Sequence, residues 1–160
     1  MLIPQIKRLF LFAALIVFSF SKTILNPDCK AIPDKPALIA FIIVFGPMVG
    51  KSLDAGILLE DDGFDIEVVD PRTLSPLDTD TICDSVRKTG RVVVCEEDSS
   101  FAGTGAEIAA MIAEKCFNDL QAPVIRVGMP HVPMPFAPSL ADSVVPGVDD
   151  IIDAVHRVMA

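Results

Sequence analysis

The chain has 160 residues, 51% of them hydrophobic but only 6% aromatic, no Trp or Tyr, and a formal net charge of −9. That length suits one domain with a real core and leaves little room for a second. An apolar fraction weighted toward Val, Ile, Leu and Ala excludes a disordered chain and fits a parallel α/β sheet, while the acidic balance argues against a nucleic-acid partner, because like charge repels phosphate.

The first element stands apart from the rest. "MLIPQIKRLFLFAALIVFSFSKT" places Lys7 and Arg8 ahead of an apolar run from Leu9 to Phe20, with Ser19 and Ser21 as small residues before a cut. This is the layout of a secretory signal. The run is about a dozen residues, short of the roughly 20 that a spanning helix needs, so no stable membrane span is expected. A gene-model artefact is the alternative reading. Residues 1–36 carry five basic and two acidic residues, a balance of +3 that leaves −12 for residues 37–160. The expected division is therefore an apolar N-terminal segment, 1–36, and a domain, 37–160, whose acidic surface suits a basic protein partner.

From residue 37 the chain alternates between two hydrophobic periods. Short Val- and Ile-rich runs, "ALIAFIIVF" (37–45), "DIEVVD" (65–70), "RVVVCEE" (91–97) and "PVIRVG" (123–128), read as strands buried on both faces. The first run is followed by a helix over 48–61 with Val49, Leu53, Ile57 and Leu58 inward. After the second comes the loop "PRTLSPLD", then a helix over 79–88 with Asp78 as N-cap and Ile82 and Val86 inward. Helices over 104–119 (Ile108, Met111, Ile112, Cys116 inward) and 148–159 (Val148, Ile151, Ile152, Val155, Met159 inward) follow the last two strands. Strands alternating with single helices imply right-handed crossovers, hence a three-layer α/β/α sandwich with a mainly parallel sheet. The stretch from 128 to 147 holds Pro130, Pro133, Pro135, Pro138 and Pro146 and reads as a long loop, which in a compact domain is usually functional or docks on something.

Candidate chemistry is sparse. "GTGAEI" from Gly103 resembles the start of a dinucleotide fingerprint, but Ile108 stands where the third glycine belongs. A capping box of Thr104 and Glu107 accounts better for the pattern. Glu96 and Glu97 are adjacent strand residues that point to opposite faces, so they are not a cooperating carboxylate pair. Cysteines at 29, 83, 95 and 116 show no Cys-x-x-Cys spacing, which leaves zinc without a ligand set; Cys95 and Cys116 read as small buried hydrophobes. His131 and His156 have no evident nucleophile partner. No catalytic, cofactor-binding or metal-binding residue is assigned.

The segments "IEVVDPRTLSPLD", "SVRKTGRVVVCEE" and "GTGAEIAAMIAEKCFNDLQAPVIRVGMPHVPMPFAPSLAD" resemble the C-terminal, transketolase C-terminal-like domain of the beta subunit of thiamine-diphosphate-dependent 2-oxo acid dehydrogenases of the pyruvate, branched-chain and acetoin types. The first loop is shared with transketolase and deoxyxylulose-phosphate synthase, whereas "GAEIAA" and the Pro-x-Pro-Phe-Ala-Pro loop favour the dehydrogenase beta subunit. The resemblance spans about residues 38–160. It implies a decarboxylase component whose thiamine diphosphate and magnesium sit in domains this chain lacks, so the oxidoreductase activity of the family is not expected from this chain alone.

What the resemblance implies instead is assembly. The implied partners are an alpha subunit and a second beta subunit in a heterotetramer, and a dihydrolipoyl acyltransferase core, in cytoplasm or mitochondrial matrix, with export left open by the signal-like segment. The implied interface residues are Asp70, Arg72, Gln121, His131, Phe136, Asp149 and Asp150. Gln121 and His131 stand where the family usually has an acidic residue, and Pro47 where it commonly has Arg. The alternatives are a stand-alone α/β interaction module, or the C-terminal part of a transketolase or deoxyxylulose-phosphate synthase-like enzyme.

Overall fold

The computed structural model describes residues 23–24 and 38–160. The rest of the signal-like segment and Cys29 lie outside the described residues. The apolar runs form strands β1 (Thr23–Ile24), β2 (Leu38–Val44), β3 (Phe64–Val69), β4 (Val92–Ser99) and β5 (Ile125–Met129). The helical stretches form α1 (Met48–Asp61), α2 (Thr79–Thr89), α3 (Thr104–Cys116), a single turn α4 (Pro138–Ala141) and α5 (Val148–Met159).

The strands line up in the order β1-β3-β2-β4-β5. β2, β3, β4 and β5 are parallel, as the alternation of strands and helices requires, and β2 at the centre pairs with both β3 and β4. The sequence pattern shows no strand before residue 37; the structure adds β1, which pairs antiparallel with the outer edge of β3 through Thr23 opposite Val69 and Ile24 opposite Val68. Two residues carry no periodicity, so such a strand is invisible to pattern.

Successive side chains of β2 and β4 point to opposite faces and build two separate cores. Ala40, Ile42, Val44, Val93 and Cys95 meet α1 and α5 on one face. Phe41, Ile43, Val92 and Val94 meet α2 and α3 on the other. This is the three-layer α/β/α sandwich.

Helix α1 corrects one expectation. Its core face is Met48, Ser52, Ala55 and Leu59, with Val49 and Leu53 on the flank, whereas Ile57 and Leu58 face solvent at 61% and 52% exposure. Choosing the largest apolar residues rotates the predicted stripe, because the small Ser52 and Ala55 are what let this helix approach the sheet closely. Helix α2 follows the reading: the Asp78 carboxylate accepts from the Thr81 N–H at 3.1 Å, and Gly90 ends the helix at φ 66°.

Candidate functional site

In parallel α/β sheets the loops beyond the carboxyl ends of the strands are where ligands and partners are met. Here those loops follow β2, β3, β4 and β5, and they divide into an inner layer that the fold itself uses and an outer layer that it does not.

The loop after β3 belongs largely to the inner layer. Asp70 is buried, accepts from the Arg72 N–H at 3.1 Å, and pairs with Arg72 Nε at 2.7 Å. Arg72 itself sits at φ 62°, a left-handed conformation that the doubly bonded Asp70 holds in place. The peptide bond before Pro76 is cis. The geometry is that of a self-stabilised turn, with Arg72 half-exposed at its rim.

The loop after β4 is built around Glu96. The ladder between β4 and β5 shifts register between Cys95 and Ser99, and Glu96 follows Val92 and Val94 onto the buried face covered by α3. Its Oε2 accepts from the Gly105 N–H at 2.7 Å, and its Oε1 lies 3.5 Å from Arg126 Nη2. Arg126 in turn donates to the Ser100 carbonyl. A carboxylate at a helix N-terminus meets both orphan amides and the positive end of the dipole. The expected capping box is therefore not what starts α3: Gly103 is the N-cap, Thr104 is the first helical residue, and Glu107 is exposed. Glycine is required here by space. A Cβ on Gly103 would fall 2.2 Å from the Ser99 carbonyl oxygen, and one on Gly105 2.6 Å from Glu96 Oε1. The glycine-rich turn that resembles a phosphate cradle is filled by the chain's own carboxylate.

Glu97 points the other way and borders an open groove of about 670 Å³ between the end of β4 and the proline loop. Glu97, Asp98 and Ser99 form one wall, and Met129, His131, Val132, Pro133 and Met134 the other. His131 Nδ1 lies 3.4 Å from Ser99 Oγ, and its ring packs at 4.7 Å against Phe101, which is 68% exposed. Beyond the groove Phe136 is fully exposed and Leu140 more than half so. Pro138 starts the α4 turn, where its missing N–H costs nothing.

The remaining expected residues separate. Asp149 and Asp150 lie in the first turn of α5, at the same end of the sheet as the groove, because α5 runs back against the strands. Asp150 serves the helix itself, since its Oδ2 accepts from the Gly147 N–H at 2.7 Å. Gln121 sits at the opposite end, before β5, where Arg91 Nη1 donates to its Oε1 at 2.6 Å. Gln121 and His131 are thus separated by the length of β5, roughly 16 Å at 3.3 Å per residue. Sequence reasoning misses the buried role of Glu96 and the wall formed by Glu97 and Asp98. The signal for the first is present in Gly103, Gly105 and Gly128, all of which close on Glu96.

The interior thiols are buried. Burial pushes the Cys95 thiol up to about 12 and the Cys116 thiol to about 11, the latter with Cys83 beside it. All three are free. Among the described residues no group of three His, Cys, Asp or Glu side chains could hold a metal ion, and no helix is long and apolar enough to cross a membrane.

Comparison with known proteins agrees with the geometry. Residues 30–151 match the family described as "Transketolase, C-terminal domain". The chain is 45% identical over 117 residues to the pyruvate dehydrogenase E1 component subunit beta of Rickettsia felis, covering 73% of this chain and 36% of that protein. It is 46% identical over 131 residues to the mitochondrial pyruvate dehydrogenase E1 component subunit beta of Pisum sativum, covering 82% of this chain and 36% of that one. A solved structure described as "Split gene transketolase, inactive beta4 tetramer" superposes with a TM-score of 0.66 at 31% identity, over 78% of this chain and 39% of that chain.

Proposed function

Because this chain belongs to the transketolase C-terminal domain family and spans about a third of the length of its curated relatives, we propose that it serves as the C-terminal assembly domain of a 2-oxo acid dehydrogenase decarboxylase component. In that role it is inactive alone and works with a companion chain that carries the cofactor-binding domains. The observation that carries this reading is the filled turn. Thiamine diphosphate needs free amides or cations for its diphosphate and carboxylates for its magnesium. Here the Gly105 amide and Arg126 are both taken by Glu96. The described residues do not fit the cofactor.

Binding is what the outer layer offers. Residues 37–160 carry the −12 balance, and Asp149 at the start of α5 is exposed and has no cation partner among the described residues. Such a face attracts the basic subunit-binding segment of a dihydrolipoyl acyltransferase, with charge acting mainly on the rate of encounter. Gln121 lies at the other end of β5, so a partner that touches both has to span the sheet. The proposed partners remain the alpha subunit, a second beta subunit and the acyltransferase core, in the cytoplasm or the mitochondrial matrix; the name of the pea relative says mitochondrial.

The test is surface plasmon resonance of the full chain against an acyltransferase subunit-binding segment across a salt series. Asp149→Lys is the clean variant, because Asp150→Lys also removes a helix cap. The expected result is binding that weakens with salt, as exposed charges are screened over about 8 Å at physiological ionic strength, and a slower association for Asp149→Lys. Affinity indifferent to both contradicts the docking role.

A further inference from the structure

The groove between the end of β4 and the proline loop combines two features that the fold does not use. Glu97 and Asp98 are exposed, and neither has a cation partner among the described residues. Opposite them Val132 and Met134 are about half exposed, and Phe136 beyond is bare. Arg126, on the strand that ends at the groove, is committed to Glu96 and the Ser100 carbonyl. No side chain of the described residues neutralises the groove's acidic wall.

Resting on the reading that a companion chain completes the enzyme, we infer that this groove seats a segment of that chain in which Arg or Lys alternates with apolar side chains. The cations meet Glu97 and Asp98, and the apolar residues cover Val132, Met134 and Phe136. Charge complementarity selects this occupant over the alternatives. A second copy brings a domain with the same −12 balance, so its approach to this acidic wall is opposed by like charge. An anionic membrane surface or a nucleic acid is repelled by the same wall. A purely cationic segment leaves the apolar side wet. Asp149 is not among the residues that line the groove.

The experiment uses the full chain and a short fluorescein-labelled peptide of alternating Arg and Leu, read by fluorescence polarisation. An all-Arg peptide and an alternating Glu and Leu peptide of the same length serve as controls. The Arg–Leu peptide should bind, the Glu–Leu peptide should not, and the all-Arg peptide should bind about tenfold more weakly because it lacks the apolar half. Glu97→Lys should weaken Arg–Leu binding about tenfold, and Met134→Ser several-fold. Glu114→Lys, an exposed charge reversal on α3 distant from the groove in sequence, should leave it unchanged. Equal binding of the Arg–Leu and all-Arg peptides overturns the inference, as does binding indifferent to Glu97→Lys, or no binding. Asp149→Lys is run in parallel against the acyltransferase segment, so failure of the groove and failure of the docking reading appear in different measurements.

Discussion

The two ends of the sheet are built to different rules. At the amino end the chain closes on itself: the Gln121 N–H donates to the Gly90 carbonyl at 2.8 Å, Arg91 holds the Gln121 side chain, and a Cβ on Gly90 would fall 2.7 Å from Gln121 Cγ. At the carboxyl end the inner layer is organised around Glu96 and Asp70, but above it lie unpaired carboxylates and bare apolar side chains. Bare apolar side chains occur at both ends, Phe117 among them at the amino end, but an open groove lined by exposed carboxylates and apolar side chains together lies at the carboxyl end, and that combination marks it as an interaction surface. Exposed apolar clusters of this kind signal an interaction site more often than chance.

The sharpest way to break that contrast is to remove the carboxylate beneath the groove. Glu96→Ala leaves the buried Gly105 amide without its acceptor and Arg126 with only the Ser100 carbonyl, and should cost about 3 kcal/mol in urea unfolding. Glu96→Gln, which can still accept from Gly105, should cost less. Gly105→Ala forces its new methyl into Glu96 and should cost about 2 kcal/mol by the same measurement. The amino end has its counterpart in Gly90→Ala, which combines a left-handed φ with the Gln121 contact and should cost about 1–2 kcal/mol. The smallest effect belongs to the outer layer: Phe136→Ser and Met134→Ser should each stay within about 0.5 kcal/mol. If they destabilise the isolated chain as much as Glu96→Ala does, the outer layer is part of the fold and the contrast fails.

The buried thiols give a check by pH. Cys95 is raised from 9.0 to about 12, so the unfolded chain releases this proton at lower pH than the folded one does. Its contribution to stability is complete below pH 9 and declines as pH rises from there toward 12. Iodoacetamide at pH 8 should leave Cys83, Cys95 and Cys116 of the folded chain unmodified, and should label all three in urea, as mass spectrometry would read.

Much of the fold is legible in the sequence. Strands rich in Val and Ile separated by helices of ten or more residues leave few topologies open, and Asp78 marks the start of α2 by local chemistry alone. The α1 face is not legible in the same way, because a helix that packs closely on a sheet uses small residues, which a search for large apolar ones passes over. β1 is too short to carry a pattern. The start of α3 misleads for another reason: Thr104 and Glu107 stand at capping-box spacing, while the actual partner, Glu96, comes from the preceding strand. The groove needs the structure too, since nothing in "CEEDSS" tells which carboxylate turns inward and which stays in water.

The claim on which the rest depends is that the glycine-rich turn is occupied by the protein itself and that the chain is an assembly domain. Isothermal titration of the full chain with thiamine diphosphate and magnesium tests it directly. The account predicts no saturable heat at concentrations up to about a millimolar, where binding free energies near −4 kcal/mol would begin to register. Saturable binding in the micromolar range would contradict it.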